Sequence, residues 1–209
     1  MPVLYLVRHA QSTANAEGIL AGKLPGITLD KTGKKQAEKL AKFLATIDFE
    51  KVIASPLERT QETAAILRPD AEVKLDYRIA ECDYGDWSGQ KIEQLQKEDL
   101  WKTIQRQPSI VTFPGGEAMS DMFARAWSAI EFWNEEIQGN YLMVSHADVI
   151  KAIVAQSLGM ELDNFQRIAI RPASLTVISF NPQPMLMLLN FGLDNIKKSP
   201  NKPVPGGGK

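Results

Sequence analysis

The chain has two histidines, and both stand in the same kind of place. In "LYLVRHAQSTAN" (4–15) the apolar run Leu4–Val7 ends in Arg8 and His9. In "NYLMVSHADVI" (140–150) the run Tyr141–Val144 ends in Ser145 and His146. A third short run, Lys51–Ala54, gives way to Ser55 and, a turn later, Arg59. An imidazole can serve as nucleophile, base or acid near neutral pH. A guanidinium stays charged and offers a planar fork of donors that matches two phosphate oxygens at once. Two of each, all placed after apolar runs, can converge on one rim. Taken singly, each has a duller reading: a hydrogen-bonded structural histidine, or a solvated arginine on a helix. The shared placement of the only two histidines favours chemistry.

The elements that would position these residues alternate. Val3–Val7 reads as a strand, followed by the Gly- and Pro-rich loop "AEGILAGKLPGITLDKTG" (16–33) and a helix with Asp30 or Thr32 as cap and Ala37, Leu40, Ala41 and Leu44 on one face. Lys51–Ala54 is a strand, 57–67 a helix stopped by Pro69, and Val73–Leu75 a strand. Residues 83–117 are least regular, helical around Ile92–Gln105, and Ser120 is a candidate cap for the next helix. Strand Tyr141–Val144, helix Val149–Leu158 and the runs "LTVISF" and "MLMLLNF" complete the order, with the Met-rich segment read as strand core. The pattern predicts an α/β fold: a three-layer α/β/α sandwich on a mostly parallel sheet, with a small helical insertion at about 86–118. Residues 1–195 form one domain in this reading, and the polar tail 196–209 is disordered. In open α/β sheets ligands bind outside the carboxyl ends of the strands. Both histidines and both arginines follow such ends.

Composition narrows the classes. At 44% hydrophobic and 23% charged residues, 209 residues can bury one sizeable core. A formal net charge of -1 gives no reason to expect nucleic acid or a membrane surface as partner. The single cysteine, Cys82, excludes a disulfide framework and a cysteine zinc cluster. No signal peptide or membrane-length apolar window is legible, so a cytoplasmic location is expected, with an oligomer possible.

Five ordered motifs carry a resemblance. "VRHAQSTAN" resembles the signature of the histidine phosphatase superfamily, with Ala10 in place of the usual glycine and Arg8, His9, Ser12 and Asn15 in register. "ASPLERTQETA" resembles its second arginine motif, with Arg59. "RIAECDYGDWSG" resembles the segment with its acid, here Glu81 followed by Tyr84 and Gly85. "FPGGEAMSD" and "MVSHADVIK" resemble the later motifs, with Ala147 again replacing glycine. The resemblance runs from residue 3 to about 180 and is closest to a bacterial subgroup of phosphomutase-like proteins. It implies a phosphomonoesterase acting on a small phosphorylated metabolite, with His9 as nucleophile. Arg8, Arg59 and His146 would hold the phosphate, Glu81 would be the proton donor, and no metal or cofactor is required. Ser12, Asn15, Gly22, Tyr84 and Ala147 complete the implied binding set. Cys82 and at least two of the four tryptophans are read as core.

Two alternatives stand beside this reading. The cofactor-dependent phosphoglycerate mutases of the superfamily use an arginine directly after the acid and a further basic pair in the insertion. Here Cys82 follows Glu81, and Lys91, Lys97, Lys102 and Arg106 are scattered, which favours hydrolysis over transfer. A non-catalytic phospho-ligand or protein-binding module is raised by Ala10 and Ala147, since alanine tolerates a left-handed turn less well than glycine.

Overall fold

The computed structural model describes residues 2–193; the tail expected at 196–209 lies outside the described residues. Six strands form one mixed sheet in the order β3-β2-β4-β1-β5-β6. These are β1 (Val3–Arg8), β2 (Lys51–Ala54), β3 (Val73–Leu75), β4 (Asn140–Ser145), β5 (Leu175–Phe180) and β6 (Pro184–Phe191). β1, β2, β3 and β4 run parallel, β5 pairs antiparallel with β1, and β6 pairs antiparallel with β5.

Alternation along the strands sorts side chains between two layers. Leu4, Leu6, Ile53, Tyr141 and Met143 face one layer, with α6 (Met119–Glu136) and α7 (Ala147–Ser157). Val7, Val52, Ala54, Leu142 and Val144 face the other, with α2 (Lys31–Leu44) and α3 (Glu58–Leu67). Because β1 and β4 are covered on both faces, their apolar runs are nearly continuous.

Register brings the chemistry together. Arg8 lies opposite Ser145, and Ala54 opposite Val144, so the three strands end level. The next backbone groups extend the pairing: His9 N–H donates to Ser145 O at 2.9 Å and Ser55 N–H to Val144 O at 3.0 Å. Everything that follows these strands therefore meets at one rim.

Local expectations hold with corrections. Asp30 caps α2 by accepting from Gly33 N–H at 2.6 Å. The loop after β1 contains a one-turn helix, α1 (Thr13–Glu17), closed by a capping box between Ser12 and Asn15. The helical middle of 83–117 is two helices, α4 (Ile92–Leu95) and α5 (Asp99–Arg106). Leu95 and Trp101 are both buried but six positions apart, which puts them on different faces of one continuous helix. The break lets both turn inward. Ser120 does not cap α6: Ala118 is the N-cap residue, without a side-chain bond, and Ser120 falls inside the first turn, while Met119 N–H donates to Val111 O at 3.0 Å. The Met-rich strand β6 is not wholly core. It is the sheet edge, with Met185 57% and Met187 60% exposed while Leu186 packs inward. Among the described residues no helix is long and apolar enough to cross a membrane.

Candidate active site

At the carboxyl ends of β1, β2 and β4, a small cavity is lined by His9, Ser12, Asn15, Gly22, Arg59, Glu81 and Tyr84, among others. His146 stands against this group, its ring centroid 5.2 Å from that of His9. Both histidines are buried, deeper than a surface rim would place them.

The two rings are held differently. His9 Nδ1 lies 2.8 Å from Ala10 O. A carbonyl only accepts, so Nδ1 carries the proton and Nε2 keeps its lone pair. His146 uses both nitrogens: Nε2 is 2.7 Å from Ser55 Oγ, and Nδ1 is 3.3 Å from Arg59 Nη2. A guanidinium only donates, so Nδ1 accepts and Nε2–H donates to Ser55. Burial holds both imidazoles well below their ordinary pKa, reinforced in each case by the charges of Arg59 and Arg8. Both rings are neutral at pH 7.

The arginines are buried as well. Arg59 comes from α3, and its Nη2 also donates to Gly22 O at 2.8 Å. Its Nη1 is buried without a hydrogen-bond partner among the described residues. A buried, unpaired guanidinium nitrogen is costly unless an anion completes it. Arg8 Nη1 donates to Ile170 O at 2.9 Å. Burial lowers the Arg8 pKa to about 10, so it remains a cation at neutral pH.

Glu81 follows a short 3₁₀ turn (Tyr77–Ile79) and is 4% exposed. Its Oε1 accepts from Cys82 N–H at 3.0 Å, and its Oε2 is 3.9 Å from His146 Nδ1. Its pKa is pushed up to about 7, first by burial and then by the charge of Asp148, against the opposing pull of Arg59 and Arg8. A carboxyl poised there can give a proton and take one back near neutral pH. Asp83 instead accepts from Gly85 N–H at 3.1 Å, as a turn residue would.

The remaining predicted residues divide. Tyr84 is in the cavity wall, its hydroxyl donating to Asp148 Oδ2 at 2.8 Å. Gly22 has φ +52, and a Cβ there would come within 2.6 Å of Ser88 Oγ and 3.2 Å of Tyr84. Its carbonyl accepts from Arg59 Nη2. Asn15 spends its Oδ1 on Ser12, accepting from its backbone N–H at 3.1 Å and its hydroxyl at 3.0 Å, so only the amide nitrogen is left to donate to a ligand. Ala147 does not line the cavity; its side chain joins the apolar core. Neither Ala10 nor Ala147 is in a left-handed conformation, which among the described non-glycine residues only Ala173 and Asn190 adopt. The objection that alanine strains these turns loses its ground. Burial pushes the Cys82 thiol well up, away from a nucleophile's range, and Trp87 stacks on Trp101 in the core.

Three contributors were not singled out from sequence. Glu117 accepts from Asp83 N–H at 2.7 Å and pairs with Arg125 at 2.6 Å. Arg125 in turn donates to the carbonyls of Ala80 (2.7 Å) and Glu81 (3.1 Å), which fixes the backbone under the acid. Asp148, in the first turn of α7, is the third. Glu117 and Asp148 sit inside motifs already quoted, but nothing in spacing alone separates them from surface acids. No group of three or more His, Cys, Asp or Glu side chains suited to a metal occurs among the described residues.

Two buried guanidiniums, an imidazole whose Nε2 has no partner among the described residues and a raised carboxyl gather at the end of an α/β sheet, a set suited to phosphoryl transfer. Residues 4–190 match the family model described as the histidine phosphatase superfamily (branch 1), and the chain belongs to that superfamily. It is 32% identical to "Phosphoserine phosphatase 1" of Hydrogenobacter thermophilus over 198 residues, covering 90% of this chain and 91% of that protein. It is 29% identical to "Probable phosphoglycerate mutase GpmB" of Enterobacter sp., covering 88% and 87%. Among solved structures, the alpha-ribazole phosphatase of Shigella flexneri superposes with a TM-score of 0.80 at 28% identity, over 90% of this chain and 96% of that one.

Proposed function

We propose that this protein is a phosphomonoesterase that hydrolyses a small phosphorylated metabolite through a phosphohistidine on His9. One observation carries the assignment: His9 has its Nδ1 proton fixed on Ala10 O and a free Nε2, whereas both nitrogens of His146 are engaged. In this mechanism Arg8 and Arg59 hold the phosphoryl oxygens, the unpaired Nη1 of Arg59 takes one of them, and His146 orients Arg59 by accepting from its Nη2. Nε2 of His9 attacks phosphorus and forms a P–N bond as the P–O bond to the leaving group breaks. Glu81 gives its proton to that oxygen. Water then attacks the phosphohistidine, Glu81 takes the proton from it, and the P–N bond breaks to release phosphate and His9.

Hydrolysis is favoured over transfer by the cations that are missing. The residue after Glu81 is a buried thiol, Lys91 donates to Glu17 O, and Lys102 pairs with Asp99. None of these lysines lines the cavity. A substrate carboxylate would forgo a charge-assisted bond of about 1.5–3 kcal/mol. The names of the similar proteins make phosphoserine the first substrate to try. The test supplies phosphoserine, and separately 3-phosphoglycerate with catalytic 2,3-bisphosphoglycerate, and follows phosphate and 2-phosphoglycerate. Phosphate release faster than isomerisation supports the phosphatase; the reverse order restores the mutase.

A further inference from the structure

Asp148 is a buried carboxylate with no part in the steps above. It is 2% exposed, and its partners are as deep. Oδ2 accepts from the Tyr84 hydroxyl at 2.8 Å, and Oδ1 accepts from Lys151 Nζ at 3.0 Å. Lys151, also 2% exposed, donates to Gln166 Oε1 at 3.1 Å and lies 5.4 Å over the Phe165 ring. An acid at a helix N-terminus complements the helix dipole equally well from the surface. The dipole therefore does not account for a desolvated carboxylate, a desolvated ammonium and a tyrosine tied between cavity and core.

The placement does. His146 is the N-cap residue of α7, and Asp148 follows two residues later. Glu81 Oε2 reaches to 3.9 Å from the same histidine, and Tyr84 joins the cavity wall beside Glu81 to Asp148. We propose that Asp148, clamped by Tyr84 and Lys151, is a positioning residue that fixes the cavity wall and keeps the proton on Glu81. The inference rests on Glu81 being the proton donor.

The need for such a group follows from the phosphate site itself. The cations that hold a phosphate dianion also favour the ionised form of the neighbouring acid, and would strip the proton it must deliver. Glu81 is faced by Arg8 from β1, Arg59 from α3, His146 and Asp148 from α7, Tyr84 and the Cys82 N–H from its own segment, and Arg125 of α6 at its carbonyl. Of these charges only Asp148 is negative. Lys151 Nζ, 3.0 Å from Asp148 Oδ1, is the opposite charge that a buried carboxylate needs beside it.

The experiment is a pH profile of kcat/KM for an alkyl phosphate that the enzyme turns over, with p-nitrophenyl phosphate beside it. Asp148→Asn removes the charge and leaves an acceptor for Tyr84. Its basic limb is expected to move down by about one pH unit, an activity loss of about tenfold at pH 8 and little at pH 5. Aryl phosphate turnover should hardly change, and Asp148→Glu should return the limb toward the wild-type pH. If Asp148→Asn fails to fold by circular dichroism, Asp148→Ser carries the same expectation. A uniform loss across pH with the limb unmoved overturns the proposal and leaves Asp148 a structural residue. Glu81→Gln separates the two readings. A limb that survives Glu81→Gln removes the donor assignment and this inference with it. A limb abolished by Glu81→Gln but unmoved by Asp148→Asn removes the inference alone.

Discussion

The segments around His9 and His146 are near-copies in sequence, yet their rings are held in opposite ways. Each is an apolar run, a polar residue and a histidine, and the two strands are parallel neighbours in register. Both rings are buried and both are held neutral. The difference lies one shell out. His9 meets a carbonyl of its own chain neighbour, which fixes a tautomer and frees a nitrogen; His146 meets Ser55 and Arg59 from across the sheet, which use both of its nitrogens. The same side chain thus keeps one nitrogen open in one place and commits both in the other. The contacts that decide between them lie up to 91 positions away in the chain.

The sharpest way to break this comparison is to remove each ring. His9→Ala should lower turnover by at least about 10³-fold and abolish acid-labile labelling from a phosphorylated substrate, as loss of a nucleophile does. His146→Ala should cost less, about 10²–10³-fold as for loss of one transition-state contact, and still show slow labelling. Labelling retained in His9→Ala and lost in His146→Ala would invert the assignment.

Next in size is the acid. Glu81→Gln should slow alkyl phosphates by about 10²–10⁴-fold while p-nitrophenyl phosphate, whose leaving group needs no proton, is slowed much less. Equal losses for both would take Glu81 out of the donor role. Smaller again is Ser55→Ala, which removes the acceptor from His146 Nε2 and touches nothing on His9. A loss of about tenfold, the worth of one hydrogen bond, is expected in turnover with labelling intact.

The smallest effects are on stability, and their signs differ. The histidines have depressed pKa values in the fold, so below about pH 6.5 the unfolded chain binds protons that the folded one refuses. Melting temperature should fall as pH drops through that range, and His9→Gln should flatten the decline. Glu81 works the other way. Its pKa is raised to about 7, so the stability it contributes is lost between its unfolded value and pH 7. Glu81→Gln should therefore melt higher than the wild type at pH 8, by several degrees, with a smaller gain at pH 5. A Glu81→Gln protein that melts lower at both values would count against a strained, half-protonated acid.

The fold was largely legible because its signals are local. Lys51–Ala54 and Val73–Leu75 are the strands their short apolar runs predict, and Asp30 caps its helix through its own side chain. Where the chain departs from pattern, the cause is a neighbour that the pattern does not contain. Ala118 rather than Ser120 opens α6, where Met119 N–H meets Val111 O across a loop, and β6, the last strand of the described sheet, leaves Met185 and Met187 exposed.

The site divides along the same line. Residue types and ordered motifs determined the membership of the site, since an imidazole after a strand end or an arginine one turn into a helix is a property of the chain. Only the tertiary structure decided what each member is. Arg59, read from its motif as a phosphate ligand, is buried with an unpaired nitrogen, and Asn15 commits its oxygen to Ser12, which leaves its amide nitrogen as the donor. Asp148, which no motif singled out, lies buried between Tyr84 and Lys151. Tautomer, protonation and buried charge depend on desolvation and on partners brought in by sheet register, and these exist only once the strands have paired.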